Sequence, residues 1–588
     1  MQNLNDPSQM TLFDPWAQRF PTRLYNRLRA GWQGLFHEVL LKLMPGEQLA
    51  ERFHPQLGRP TKELYSVAGL IFLKACNNWT MEQAVDAYCF GLDVQYALNV
   101  SGGDAELSLR SLERYVQLFR EMDLAAEVFD AVTMALIERM ELNLSEQRLD
   151  STHVYSNMAM AGRTTLMIQA VKRLLTQVRR HDTERYDALP AALRARYEAN
   201  SACAPFGWSR SKANADERRR IRQQVAEDMR DVLAFYDGEA PITNKDTYRQ
   251  LLRVFEEHCQ VIEDTVKVRP KSDSRALQSL TDLDATYDGH KGRGYQAQVA
   301  QTCCEENSHQ LITDVLPQTA ADSDSAALPQ MVERLEDKQR KPQSLLADTA
   351  YGSDDNTQLC AGKDVELVAP AKRRDNENRD TLTTLDFEMD EATNEVKRCP
   401  CGHTPRVAHF NHETGDGFAL FPSVLCERCP RLANCLVCTY RKDYRLKYSY
   451  RSQRLDRRRR DQQTPQFKTR YRKRAGVEGL MSALKRGYGF GRLRVRGMAA
   501  VSMELYLKAA GYNLKQAAKW IAGNGRQRLC KAAASKIRLL WRRWGSPKRI
   551  HTTQYALGPE NRTSMPRSPG WNSTLRLGRL ETKTVLAG

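Results

Sequence analysis

The first 145 residues carry apolar side chains three and four positions apart, a spacing that predicts amphipathic helices. The pattern is clearest in residues 35–43, 65–74 and 81–88. Either Thr61 or Thr80, each followed closely by an acid or a glutamine, is a candidate cap for the next helix. This region is therefore predicted to be a bundle of helices.

Short runs rich in β-branched residues replace this pattern after residue 146, and they predict strands. Strand, helix and strand in succession predict a mixed sheet, so the fold class is α/β. In chain order, the predicted elements are a strand with its hairpin partner at 147–157, a charge-dense helical insertion at 166–268, strands at 294–304 and 310–317, a helix at 325–336 and an apolar strand at 344–352.

One acid, two cations and a phenol stand at helical spacing in Tyr471, Arg474, Glu478 and Lys485. On a helix of about 3.6 residues per turn, their offsets place all four on one face. A metal-bound phosphodiester requires such a set, because a carboxylate binds the divalent ion while cations and an aromatic hydroxyl contact phosphate, backbone or base. The alternative is an exposed helix with an ion pair between Arg474 and Glu478.

The charge balance favours a polyanionic partner. The 588 residues carry a formal net charge of +18, with a pI of about 9.3. Basic runs flank the four residues at 454–474 and 486–496, and the N-terminal helices add Arg110, Arg114 and Arg120. We therefore expect nucleic acid as the partner, with a solvated basic face as the alternative. No apolar run is long enough to cross a bilayer, and no secretory signal is expected.

Two further acids, Asp150 and Asp348, share a context of apolar residues before them and small hydroxyl residues after them. Acids at the ends of two strands can converge on one edge of a sheet. A third acid, here Glu478, can join them from a later helix. Phosphodiester chemistry needs this convergence, since several carboxylates hold two divalent ions about 4 Å apart. Magnesium suits such ligands and manganese can replace it. Alone, each aspartate is more typical of a turn or cap.

These motifs resemble the DDE transposases of bacterial insertion sequences, in particular the insertion-sequence family numbered eleven eighty-two. Tyr471, Arg474, Glu478 and Lys485 match the Tyr-x2-Arg-x3-Glu-x6-Lys signature of that branch without a gap. The supporting likenesses, over roughly residues 30–520, are Gly58-Arg-Pro, residues 64–74, Leu149-Asp150-Ser-Thr, Gly294-Tyr, Ala347-Asp348-Thr-Ala-Tyr-Gly and residues 509–515.

The resemblance implies a ribonuclease-H-like catalytic core with insertions, which binds terminal inverted repeats, cuts DNA at the ends and joins them to target DNA. Asp150, Asp348 and Glu478 would be the Mg²⁺ ligands, and no covalent protein–DNA intermediate is expected. A homodimer on paired ends and a cytoplasmic, nucleoid-associated location are also implied. The residues expected to contact DNA are Tyr471, Arg474, Lys485, Lys291 and Arg293.

The predicted division of the chain follows from these assignments. Its parts are a helical DNA-binding region (1–145), the first part of the core (146–165), a helical insertion (166–270), the continued core (271–372), a cysteine-rich insertion (373–445), the signature helix with C-terminal helices (446–520) and a basic, partly disordered tail (521–588).

Six of the fourteen cysteines lie within residues 399–438, and two Cys-x2-Cys pairs among them are typical of a tetrahedral zinc site. The segment is polar and is expected to lack a core of its own, so a structural zinc would organise it. Reduced thiols without a special role are the alternative. The family pattern favours Cys399, Cys426, Cys429 and Cys435 as ligands, with Cys401 and Cys438 as departures.

Two other functions remain open at this point. A related ribonuclease-H-fold endonuclease would cut DNA without joining it. A domesticated transposase that only binds DNA would have no need for three converging carboxylates.

Overall fold

The computed structural model describes residues 1–7, 14–100, 104–198, 215–373 and 381–543. Within these ranges no helix is long and apolar enough to cross a membrane. The predicted tail at 521–588 lies outside them from residue 544 onward.

The N-terminal region is helical as predicted. Thr80 and Gln83 form a reciprocal capping box at one helix start. Thr61 instead accepts a hydrogen bond from the Asn3 backbone at 2.9 Å, and Glu63 caps the helix that follows. The helices are α1 (Pro15–Arg19), α2 (Thr22–Arg29), α3 (Trp32–Leu35), α4 (Gly46–Ala50), α5 (Leu64–Cys76), α6 (Met81–Phe90), α7 (Leu92–Ala97), α8 (Leu109–Glu121) and α9 (Leu124–Met140), with a π-helical turn at Phe36–Leu40 and a 3-10 turn at Leu41–Leu43.

The central sheet combines antiparallel and parallel strands. Its strands are β1 (Glu146–Val154), β4 (Thr286–Asp288), β5 (Gly292–Thr302), β6 (Ile312–Thr319), β7 (Ser344–Leu346) and β8 (Glu366–Val368). The spatial order is β4-β5-β1-β7-β8, with β6 also pairing with β5. β1 runs antiparallel to β5 and parallel to β7. The prediction of a local hairpin partner for β1 is therefore wrong, because its antiparallel partner comes more than a hundred residues later.

Helices cover both faces of this sheet. The crossover helix predicted at 325–336 is α16 (Asp324–Asp337), which packs on one face with α17 (Asp354–Gly362). The opposite face packs against α5, α9, α21 (Gly476–Gly487) and the first half of α22 (Met498–Arg543), up to Ile521.

The helical insertion between β1 and β4 has its own apolar core. Its elements are α10 (Arg163–His181), α11 (Thr183–Asp187), α12 (Ala191–Glu198), α13 (Ala215–Phe235), α14 (Ala240–Thr243), α15 (Asp246–His258) and the hairpin β2 (Cys259–Ile262) and β3 (Thr265–Val268).

The cysteine-rich segment also has a core, contrary to the expectation from its polar composition. Phe410, Phe421 and Tyr448 are buried there across one antiparallel sheet of order β11-β12-β14-β13. Its elements are β9 (Glu388–Met389), β10 (Val396–Arg398), β11 (Val407–Asn411), β12 (Asp416–Pro422), α18 (Ser423–Glu427), β13 (Cys438–Tyr440) and β14 (Asp443–Ser449), followed by α19 (Tyr450–Asp461) and α20 (Pro465–Arg472).

Candidate active site

The register of two parallel strands places Asp150 and Asp348 side by side. Arg148 of β1 pairs with Leu346 of β7, and each aspartate comes two residues later on its own chain segment. Leu149 and Ala347, the residues just before them, share one buried apolar cluster. Because side chains alternate between the faces of a sheet, both carboxylates project to the opposite face.

Arg474 brings a positive charge to this pair of acids. Its Nη2 lies 3.2 Å from Asp150 Oδ2 and 3.8 Å from Asp348 Oδ2. Burial raises the pKa of Asp150, Arg474 lowers it and Asp348 raises it again. The side chains of Arg474 and Asp150 are each only 17% exposed, so their interaction is screened less than a surface pair would be.

Tyr471 completes the group on this side. Its ring stacks on Phe467 at 5.7 Å between centroids. Burial raises the pKa of Tyr471, Arg474 lowers it, and Asp348 and Asp150 raise it. The structure therefore brings together four of the predicted site residues: Tyr471, Arg474, Asp150 and Asp348.

Glu478 does not reach this group. Its side chain is exposed in the first turn of α21, and within the described ranges no ion pair or hydrogen bond involves its carboxylate. The alternative ion pair with Arg474 is likewise not formed, since Arg474 turns to the aspartates.

The four signature residues do not lie on one regular helix, which corrects the sequence prediction. Tyr471 lies in the last turn of α20 and Arg474 in a 3-10 turn at Lys473–Ala475. Glu478 and Lys485 lie in α21. A 3-10 turn has 3.0 instead of 3.6 residues per turn, so three such residues rotate the following face by roughly 60°.

Lys291 and Lys485 lie near His153. Burial lowers the pKa of His153, and the charges of Lys291 and Lys485 lower it further. The hydrogen bond with the Arg293 carbonyl and the charge of Asp288 raise it, but less than the other groups lower it. The Lys291 Nζ donates to Ser151 Oγ at 3.0 Å. The guanidinium of Arg293 donates to the Ala161 carbonyl.

Asp324, the first residue of α16, is a site residue that the sequence did not reveal. It accepts hydrogen bonds from Ser151 Oγ at 3.0 Å, Lys291 Nζ at 3.2 Å and Gln298 Nε2 at 3.0 Å. Its charge also raises the pKa of Asp150. An aspartate at a helix start is ordinary in sequence, so only the tertiary contacts identify it.

Asp150 and Asp348 offer carboxylate oxygens, which are the donors that a hard divalent cation prefers. The cationic group beside them is the guanidinium of Arg474. Among the described residues, however, no group of three or more His, Cys, Asp or Glu side chains is arranged to hold a metal ion. Glu478 in particular lies apart.

The clustered cysteines surround one small cavity, which Cys399, Cys401, Cys426, Cys429 and Cys435 line together with His403. Cys401 Sγ lies 3.3 Å from Cys429 Sγ. Contact with Cys429 and then burial raise the pKa of Cys401 to about 11. Cys438 lies outside the cavity and is exposed on β13. Cys401, which the family pattern also left out of the ligand set, lines the cavity with the other four cysteines.

Comparison with known protein families places part of this site in a known context. Residues 398–518 match a family described as "Transposase DDE domain". The matched transposase DDE domain contains Tyr471, Arg474, Glu478 and Lys485, whereas Asp150 and Asp348 precede it. No curated protein matches the chain. Among solved structures, a piggyBac transposase synaptic complex with hairpin DNA is similar at 9% identity and a TM-score of 0.28, over 84% of this chain and 75% of that one.

Proposed function

We propose that this protein is a DDE transposase that cuts DNA at the terminal inverted repeats of its element and joins the ends to target DNA. The observation that carries the proposal is the contact of Arg474, from the matched DDE domain, with Asp150 and Asp348 of the central sheet. Two adjacent acids on parallel strands, beside a basic helical segment, suit the chemistry of a phosphodiester.

The core is proposed to be ribonuclease-H-like. Three antiparallel strands, β6-β5-β1, followed by the parallel strands β7 and β8 support that assignment. In this arrangement Asp150 on β1 and Asp348, two residues after the end of β7, lie on neighbouring chain segments in the middle of the sheet.

Asp150 and Asp348 would hold Mg²⁺, or Mn²⁺ in its place, with Glu478 as the third ligand that the sequence predicts. The chemistry that such ions supply is activation of a water or 3′-hydroxyl and stabilisation of the leaving oxygen. Arg474 would leave the carboxylates and bind a phosphate of the DNA end, with Tyr471 beside it and Lys485 on the same strand of DNA. A homodimer on two paired ends and a cytoplasmic, nucleoid-associated location belong to the same proposal.

The test is incubation of the full chain with labelled duplexes that carry the sequences flanking its gene. In Mg²⁺ we expect strand cleavage at the repeat boundary and joining to a plasmid, while Ca²⁺ should support binding alone. Cleavage without joining would show an endonuclease instead, and binding without cleavage in Mg²⁺ or Mn²⁺ would show a protein that only binds DNA.

We also propose one structural zinc in the cysteine-rich segment, separate from the catalytic ions. Five thiols lining one cavity support it, and thiolates are the ligands that structural zinc favours. Among the described residues no three of these thiols are yet arranged around a metal position, so zinc binding would draw them together. The ligands predicted from the sequence are Cys399, Cys426, Cys429 and Cys435. The proximity of Cys401 to Cys429 makes Cys401 a competing choice.

A further inference from the structure

The helical insertion contains a groove whose charged lining is entirely cationic. It is an open cavity of about 840 Å³ between α13 and the β2–β3 hairpin. No acidic side chain of the described residues lines it. We refer to this feature as the insertion groove, and its cations are Arg218, Arg219, Arg220, Arg222, Lys267 and Arg269.

Placing these cations close together destabilises the folded insertion through repulsion between like charges. Arg218 and Arg222 are i, i+4 neighbours on α13, and like charges at that spacing destabilise a helix. Burial lowers the pKa of Arg222, and the charge of Arg218 lowers it further. A surface that keeps like charges together in this way is suited to a polyanion.

Three of the six cations have structural partners. Arg219 pairs with Asp216 at 3.0 Å, Arg222 Nε donates to Thr164 Oγ1 at 3.0 Å, and Arg269 Nε donates to the Cys259 carbonyl at 3.0 Å. Arg218, Arg220 and Lys267 are exposed along the groove. These last three can therefore be changed without removing any of those contacts.

The positive charge continues from the groove toward the candidate active site. Thr164, the partner of Arg222, adjoins Arg163, whose guanidinium donates to the His258 carbonyl at 2.8 Å. Arg163 and Arg293 line a second cavity of about 190 Å³. None of the ion pairs among the described residues includes Arg163, Arg222 or Arg293.

The path then reaches Lys291, which pairs with Asp324. Arg293 lies on β5 two residues after Lys291, whose Nζ lies 3.2 Å from Asp324 Oδ2 and donates to Ser151 Oγ, the residue that follows Asp150. The insertion groove, the second cavity and the Lys291 side of the active site thus form a connected series of cationic positions.

We propose that the insertion groove binds the sugar-phosphate backbone of duplex DNA, on the stretch that leads away from the scissile phosphate. This inference rests on the proposed function for its choice of partner. Duplex DNA fits because it presents about one negative charge per 1.7 Å of helix axis, which matches a long row of cations better than an isolated anion does. Backbone contacts of this kind position the DNA and carry no sequence information directly.

The test compares the salt dependence of DNA binding between two triple variants. The groove variant is Arg218→Ala, Arg220→Ala and Lys267→Ala. The matched control, Arg180→Ala, Arg230→Ala and Arg249→Ala, removes three cations from the same insertion that do not line the groove. Both are measured by fluorescence anisotropy with a labelled duplex of the gene's terminal sequence and its flank, between about 50 and 200 mM salt.

Each lost phosphate contact should lower the slope of log affinity against log salt by about 0.9, so the groove variant should lose between 2 and 3 units of slope, roughly. The control should keep the wild-type slope. If the groove variant misfolds, Arg218→Gln with Lys267→Gln replaces it, with an expected loss of about 1.8. An unchanged slope in the groove variant, or a loss as large in the control, would overturn the proposal.

Competition and cleavage separate this inference from the proposed function. Poly-glutamate or single-stranded RNA that displaces the duplex at equal charge, in the wild type but not the groove variant, would overturn the choice of duplex DNA. A slope difference in a protein that cuts no DNA would uphold the groove and refute the transposase. Cleavage by the wild type with no slope difference would refute the groove alone.

Discussion

The guanidinium of Arg474 lies 3.2 Å from the carboxylate of Asp150, although the two residues are more than three hundred positions apart in the chain. The same guanidinium is 3.8 Å from Asp348. One guanidinium therefore lies against two carboxylates and offsets the charge of one of them. Metal binding at these acids and phosphate binding by Arg474 each require the contact to open, so the two events should favour each other.

Arg474→Ala tests the phosphate role. Loss of one phosphate contact should reduce the salt slope of end binding by about 0.9. Binding titrations at several salt concentrations measure it. Arg472→Ala is the control, because Arg472 is exposed and adjacent but is not among the residues that contact the aspartates. An unchanged slope in Arg474→Ala would count against the assignment of this segment.

Asp150→Asn should stabilise the protein at neutral pH. The raised pKa of Asp150 means that the folded state binds this proton more tightly than the unfolded chain. The free energy of unfolding therefore falls as the pH rises from the ordinary value of 3.8 through the raised one, and the loss persists above it. Thermal unfolding should give a higher Tm than wild type at neutral pH, with the difference shrinking below the ordinary value. Equal Tm values at all pH would refute the role of burial.

Asp324→Ala should cost stability and loosen Lys291. Hydrogen bonds to charged groups contribute about 1.5–3 kcal/mol, and Asp324 accepts three hydrogen bonds in a largely buried position. Denaturant unfolding measures the loss, and Asp324→Asn should recover part of it. The control is Asp337→Ala, at the exposed end of the same helix. A loss no larger than that of the control would mean that these contacts contribute little.

The strands β1, β5, β6 and β7 and the helix α16 were predicted from local sequence patterns, whereas β4, β8 and α17 were not. The convergence of Asp150 and Asp348 was predicted from their positions at strand ends, but the strand order that produces it, with β7 beside β1, follows from no local pattern. Likewise, the 3-10 turn before α21 places Gly476 against Arg148, where an added Cβ would stand 1.8 Å from the Arg148 Nη1. A larger residue would have to displace the Arg148 guanidinium, and helical spacing alone does not reveal that contact.

The core of the cysteine-rich segment had a readable signal. Ala408 and Phe410, Ala419 and Phe421, and Leu446 and Tyr448 each stand two residues apart, which is the period of a strand with one buried face. Overall polarity hid this alternation.

The zinc proposal predicts about one zinc per chain in protein purified without chelator, on the four-ligand logic of such sites. Cys429→Ser should lose that zinc, because Cys429 lines the cavity and contacts Cys401. Cys438→Ser should keep it. Elemental analysis gives the metal content, and limited trypsin digestion should show new cuts at Arg428 and Arg431 after metal removal while the sheet remains intact. If wild-type protein contains no zinc and its resistance to trypsin is the same before and after chelator treatment, these residues are reduced thiols without a metal.

The most direct measurement of the central claim is DNA cleavage by Asp348→Asn beside Asp355→Asn. Asp355 is an exposed neighbour that pairs with Arg451 at 3.3 Å, away from the acids. In Mg²⁺, Asp355→Asn should cut labelled ends at the wild-type rate. Asp348→Asn should bind the ends as tightly as the wild type but cut none, because asparagine keeps the shape of the side chain and loses the charge of a metal ligand. Cleavage by Asp348→Asn at the wild-type rate would contradict the account.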